Sequence, residues 1–240
     1  MASRWWEYYA IRYFVGSAIG AFLILYLNGY HSSGFGGVLC SIGIAGIKDF
    51  SDFAVLASVG FAFCYLSSAP ILVFHAYRAH LSFGGFEKSS CCSYFCIATS
   101  IVAVGIFSFI YIDNQFVALL FTCVTGFSIG LTLAAFFDKY SKVEEYYKNL
   151  SKARVEIPKG KRRGDSASIR ADYITSYKHL REHGNAFLIV VFEFILAFSI
   201  FHSSSKKVGL IILALWVVPS GFVWLLGSVL ERKMVNRNSN

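Results

Sequence analysis

The sequence predicts an all-α integral membrane protein with about six transmembrane helices and a cytoplasmic helical hairpin between the fourth and fifth. Three observations predict it. Hydrophobic residues make up 56% of the 240-residue chain, and its mean hydropathy is +0.56. Charged residues are 15% of the total and cluster between apolar runs instead of alternating with them. Several of those runs approach or exceed the roughly 20 apolar residues that a helix needs to cross a bilayer, a length no soluble core requires. Strands of a membrane barrel would alternate apolar and polar positions over about 10 residues, and these runs do not.

Residues 1–137 hold spans 1–4, residues 138–185 form a polar basic segment, and residues 186–240 hold spans 5 and 6 with a short basic tail. Span 1, residues 11–27, contains Gly16 and Gly20, which fall on one helix face and let another helix approach closely. A cleavable leader is not expected, because Trp5 and Trp6 read as an interfacial anchor and no small-x-small site follows. Residues 34–47 follow, rich in glycine but with an apolar run too short to span. They read as a re-entrant or pore-lining segment, or as a short helix lying in the interface. Span 2, residues 53–77, carries Pro70, so a bend is expected near Ser67, Ser68 and Pro70. Span 3, residues 91–112, turns tightly through Asp113, Asn114 and Gln115 into span 4, residues 116–137. Span 4 has a second small-xxx-small pair, Gly126 and Gly130.

Beyond span 4 the helical pattern continues into water, with Val143, Tyr147 and Leu150 on one stripe, until Pro158 stops it. A second polar helix is signalled by a cap at Asp165 or Ser166 and a stripe of Ile169, Tyr173, Tyr177 and Leu180. Span 5 is residues 186–201. Span 6 is residues 208–230, with a kink expected at Pro219 and with Trp216 and Trp224 as candidate belt residues.

Charge fixes an expected orientation. Over residues 139–185 twelve of the 22 Lys and Arg face six acids (Glu144, Glu145, Glu156, Asp165, Asp172, Glu182), a net +6 of the chain's +8. Six spans put that segment on one side with Arg4, Arg12, Arg78, Lys88, Arg232, Lys233 and Arg237, leaving Lys48, Lys206 and Lys207 on the other. By the positive-inside rule both termini are cytoplasmic and the protein lies in the inner (plasma) membrane.

Few constellations could carry chemistry. His179, Glu182 and His183 match the pattern H-x-x-E-H of inverted zinc peptidases, with two histidines on one helix face. The downstream acid, Glu193, is about 15 Å further along nearly the same helix, so a solvated helix end is the better account. Glu193 itself is the one carboxylate well inside an apolar run, and such a group faces a bundle interior, a partner or a water cavity. His75, Arg78 and His202 are its candidate partners. The run Lys159, Lys161, Arg162, Arg163 could hold anionic lipid or an acidic protein face, with Tyr173 and Tyr177 beside it. It lacks the interleaved aromatics of a single-strand nucleic-acid binder, so direct nucleic-acid binding is not expected. The six Cys fall mostly in apolar runs and read as buried small hydrophobes, though Cys91, Cys92 and Cys96 could also be acylated. No cofactor or metal site is expected.

These features predict a non-enzymatic, oligomeric inner-membrane protein. Its basic hairpin would dock a soluble cytoplasmic partner or anionic lipid, in the manner of the membrane component of a bacterial defence or stress system. Its glycine pairs at Gly16, Gly20, Gly126 and Gly130 would mediate helix packing. The alternative is an ion or proton channel, or a small-solute transporter, using Glu193.

Overall fold

The computed structural model describes residues 5–28, 50–80, 91–155 and 187–238. The glycine-rich segment, the docking residues Lys159, Lys161, Arg162, Arg163, Tyr173 and Tyr177, and the triplet His179, Glu182, His183 lie outside the described residues. Apart from turns and one isolated bridge, the described chain is helical. Its helices are α1 (Trp5–Asn28), α2 (Phe50–Ser67), α3 (Ala69–Ala76), α4 (Cys91–Tyr111), α5 (Gln115–Phe137), α6 (Ser141–Val155), α7 (Phe187–Phe201) and α8 (Lys206–Asn238). Four stretches, Ser51–Ala76, Cys92–Tyr111, Gln115–Phe137 and Lys206–Arg232, are long and apolar enough to cross a membrane, while Tyr13–Asn28 and Phe187–Phe201 are shorter apolar helices. Large side chains point outward, among them Phe14 at 76% and Trp224 at 73% exposure, an apolar surface that suits lipid and not water.

Two hairpins anchor the bundle. α1 packs on α2, and α4 packs on α5. The second is closed by Asn114, whose carboxamide oxygen accepts from the amides of Phe116 (3.0 Å) and Val117 (3.2 Å) and so caps α5. That turn is clasped to the one between α7 and α8, the Asp113 amide donating to His202 O and the Ser204 amide to Tyr111 O, each at 3.0 Å. Both glycine pairs are used inside these hairpins. A Cβ on Gly126 or Gly130 would run into the backbone of Ile101 or Ile97 on α4, and Gly20 lies against the Gly60 carbonyl of α2. Without a hydrophobic drive between helices in lipid, this backbone proximity and its dispersion contacts hold a pair together.

Pro70 does more than bend span 2. It separates α2 from α3, and the Ile71 amide takes Ser68 O at 3.0 Å in a tightened turn. The Ser67 carbonyl thereby loses its helical donor. The indole N–H of Trp216 replaces it at 3.1 Å. Trp216 is therefore a core residue, fully buried between Phe121 (5.9 Å between centroids) and Phe192 (5.7 Å), and not the interfacial belt residue its position suggested. Cys92 and Cys123 likewise depart from the buried role expected of the cysteines, both being exposed, whereas Cys64 and Cys96 are buried.

α6 does not prolong α5. Lys139 and Tyr140 take the left-handed conformation (φ 48° and 60°), and the Tyr140 amide reaches back to Ala135 O at 2.9 Å. Each such residue costs about 1–2 kcal/mol, so tertiary contacts must hold the turn. They come from Val143, fully buried with Tyr77, Leu131 and Ala135, and from Tyr147, whose hydroxyl donates to His75 O at 3.0 Å. Val143 and Tyr147 of the stripe read from the sequence are thus spent on folding α6 back against the end of α3.

Candidate functional site

Glu193 lies at the middle of α7 and is 0% exposed. Its carboxyl occupies space that glycine leaves open. A Cβ on Gly16 would sit 3.3 Å from Glu193 Oε1, and one on Gly20 would sit 3.5 Å from it. Cys64 of α2 completes the wall, its Sγ 2.5 Å from the same hypothetical Gly16 Cβ. The α1–α2 crossing is closest at Gly60, where a Cβ would overlap the Ser17 carbonyl and stand 2.7 Å from the Ala21 amide. Three apolar helices therefore converge on one carboxyl, α1 and α7 near mid-length and α2 through its last turns. The glycines of α1 make its pocket.

Among the described residues neither Glu193 oxygen has a hydrogen-bond partner, and the hydroxyl of Ser17, next in sequence to Gly16, is also buried and unpartnered. The Cys64 thiol is close enough to interact, without the geometry of a bond to the carboxyl. No cation among the described side chains pairs with the group. Arg78 lies instead over the rings of Tyr146 (5.1 Å) and Tyr147 (5.4 Å), and His202 packs on Phe198 and Phe201. The His75 carbonyl receives Tyr147 at the foot of α3. A bare carboxylate here would cost about 3 kcal/mol or more. The site thus holds either a neutral acid or a carboxylate with a captured cation.

A second polar group closes one end of the bundle. His80, in a 3-10 turn (Arg78–His80), places Nδ1 3.7 Å from Asp138 Oδ2, and Lys142 Nζ lies 3.8 Å from that oxygen. Burial holds the His80 imidazole below its usual value, Asp138 opposing and Lys142 adding to the effect.

Sequence reading missed Ser17, Gly60, Cys64 and Trp216. Gly60 and Cys64 form a small-xxx-small pair of their own, the one signal that pointed to α2 as the partner of Gly16 and Gly20. Among the described residues no three His, Cys, Asp or Glu come together as a metal site. Compared with protein-family models, curated proteins and solved structures, the chain matches none.

Proposed function

We propose that this is a six-span protein of the inner membrane, termini cytoplasmic, that binds and releases a proton at Glu193 as part of a channel or transporter. One observation carries the reading. A single carboxyl is enclosed where three apolar helices meet, with no compensating charge among the described side chains, and a purely structural role would be filled at lower cost by an apolar residue. The proton is favoured over a metal cation by the scarcity of oxygens. Sodium sites in transporters draw on carbonyls freed by broken helices. Here α1, α2 and α7 are helical through this level, so among the described residues their carbonyls are engaged in helical hydrogen bonds. A hydrophobic carbodiimide, which attacks neutral carboxyls in apolar surroundings, should label Glu193 in reconstituted protein and stop proton flux. Labelling elsewhere with flux unchanged would refute the reading.

A second reading rests on the +6 charge of residues 139–185. There the basic segment docks an acidic soluble partner or anionic lipid, and the protein works without moving ions, as an oligomer or as the membrane part of a defence or stress system. On that reading the wild type shows no Glu193-dependent proton flux, and reversing Lys161, Arg162 and Arg163 to acids would abolish function while leaving membrane insertion intact.

A further inference from the structure

Among the described residues the buried polar atoms without partners are distributed unevenly. Besides Glu193 they are the hydroxyls of Ser17, Ser67, Thr125 and Tyr77 and both ring nitrogens of His80, with Arg78, Ser93 and Asp138 crowding the same end. Ser17 and Thr125 stand near the middle of α1 and α5, and Ser67 is one turn from Cys64. The others lie where α3, α4, α5 and α6 meet. From Cys64 to Tyr77 the chain rises about 20 Å, more than half of a bilayer core of about 30 Å.

The opposite half of the bundle is different. Around the far ends of α1, α2 and α7 the buried side chains among the described residues include Leu23, Ile24, Leu27, Leu56, Leu196 and Ile200. Its buried hydroxyls are satisfied within their own segments, Ser108 on Val104 O and Ser199 on Ile195 O at 2.6 Å, and Ser203 on Ile200 O at 2.7 Å. Buried polar groups without protein partners are the ones that ordered water serves, and water in a file passes protons.

We propose that protons reach Glu193 from one side only, along a hydrated path that enters at His80 and Tyr77 and passes Thr125 and Ser67, while the leucine-rich half is a seal. This inference rests on the proton-site reading and adds the direction of access. The charges at the entry are Asp138 on α5, Lys142 on α6 and Arg78 in the turn itself, with Tyr140 facing Tyr77. Between entry and site, Phe74 meets Phe127 (6.0 Å) and Phe192 (6.3 Å), and Phe192 meets Trp216. These rings close the path at rest, and the break at Ser67–Pro70 is where α3 can swing to part them.

The test uses the full-length chain with its native cysteines replaced, reconstituted into vesicles whose orientation is read by trypsin cleavage in the basic segment. Silver nitrate is added to one face, and cysteines it has reached are then protected from a maleimide added after solubilisation. Ser67→Cys and Tyr77→Cys should lose maleimide labelling when silver is on the face bearing the basic segment, and keep it when silver is opposite. Leu56→Cys and Leu196→Cys should keep it either way. Protection of Ser67→Cys from the opposite face overturns the proposal, as does none from either face while Lys142→Cys is protected. Proton flux measured in the same vesicles separates the two ideas. The expected protection without Glu193-dependent flux retains the path and refutes transport, whereas Glu193-dependent flux with protection from the wrong face refutes the path alone.

Discussion

Glu193, three glycines and a cysteine show how little side-chain volume separates a packed helix crossing from a site. Gly60 is the tightest point, since its Cβ would meet the backbone of Ser17 and Ala21, which cannot yield as a side chain could. Gly60→Ala should cost about 1–3 kcal/mol as α1 and α2 are forced apart. By contrast, a Cβ on Gly221 in α8 would meet nothing within 4 Å. Gly221→Ala should leave stability unchanged or raise it by up to about 1 kcal/mol through helix propensity. Thermal unfolding of both variants in one detergent checks the contrast, and equal losses would refute the assignment of Gly60. Glu193 was legible in the sequence because a carboxylate in an apolar run violates the pattern. Its surroundings were not, because Gly16, Gly20 and Gly60 signal close approach without saying to what. The sequence pointed to His75, Arg78 and His202 as partners on charge alone, and only the fold shows Arg78 drawn to Tyr146 and Tyr147.

At the scale of elements, two breaks in the described helices are held by tertiary contacts that no local sequence signal announces. The Ser67 carbonyl freed by Pro70 is taken by Trp216, 149 positions away in sequence. Trp216→Phe keeps the ring stacking and removes that donor, leaving a buried carbonyl unpaired at a cost of about 1–3 kcal/mol. Trp216→Phe melting like the wild type would show that the indole bond contributes nothing. The proline predicted the break, but nothing local predicts its repair, and for that reason Trp216 reads as an interfacial residue in sequence. The turn at Lys139 and Tyr140 is similar, since neither residue favours positive φ and the sequence pattern runs on as helix. It is held by α6 docking, which contains a titratable contact. His80 is held below its ordinary value of 6.5 by burial, with Asp138, Lys142, Arg78, Tyr77 and Tyr140 around it. Just below 6.5 the undocked imidazole therefore takes up a proton that the docked one refuses, so docking is fully stable above 6.5 and weakens as pH falls. Hydrogen exchange of α6 amides, corrected for intrinsic rate, should quicken between about pH 7.5 and 5.5. His80→Gln should remove that dependence, and its persistence in the variant would place the titration elsewhere.

For the molecule as a whole, the membrane class and the helix positions were legible because apolar runs and their interruptions are properties of the chain itself. The four long apolar helices and two shorter ones lie close to where those runs fall. Function was less legible, since polar atoms become informative only once their burial and their missing partners are seen. An enclosed acid has apolar side chains on one half of the bundle and unpartnered polar atoms on the other among the described residues. The most direct test of proton passage through Glu193 is proton entry into vesicles driven by a potassium diffusion potential, comparing wild type, Glu193→Gln and the triple reversal of Lys161, Arg162 and Arg163. Such passage predicts flux in the wild type and the charge-reversed chain, and none with Glu193→Gln. Equal flux in wild type and Glu193→Gln would contradict it, as would a correctly inserted wild-type protein that passes no protons at all.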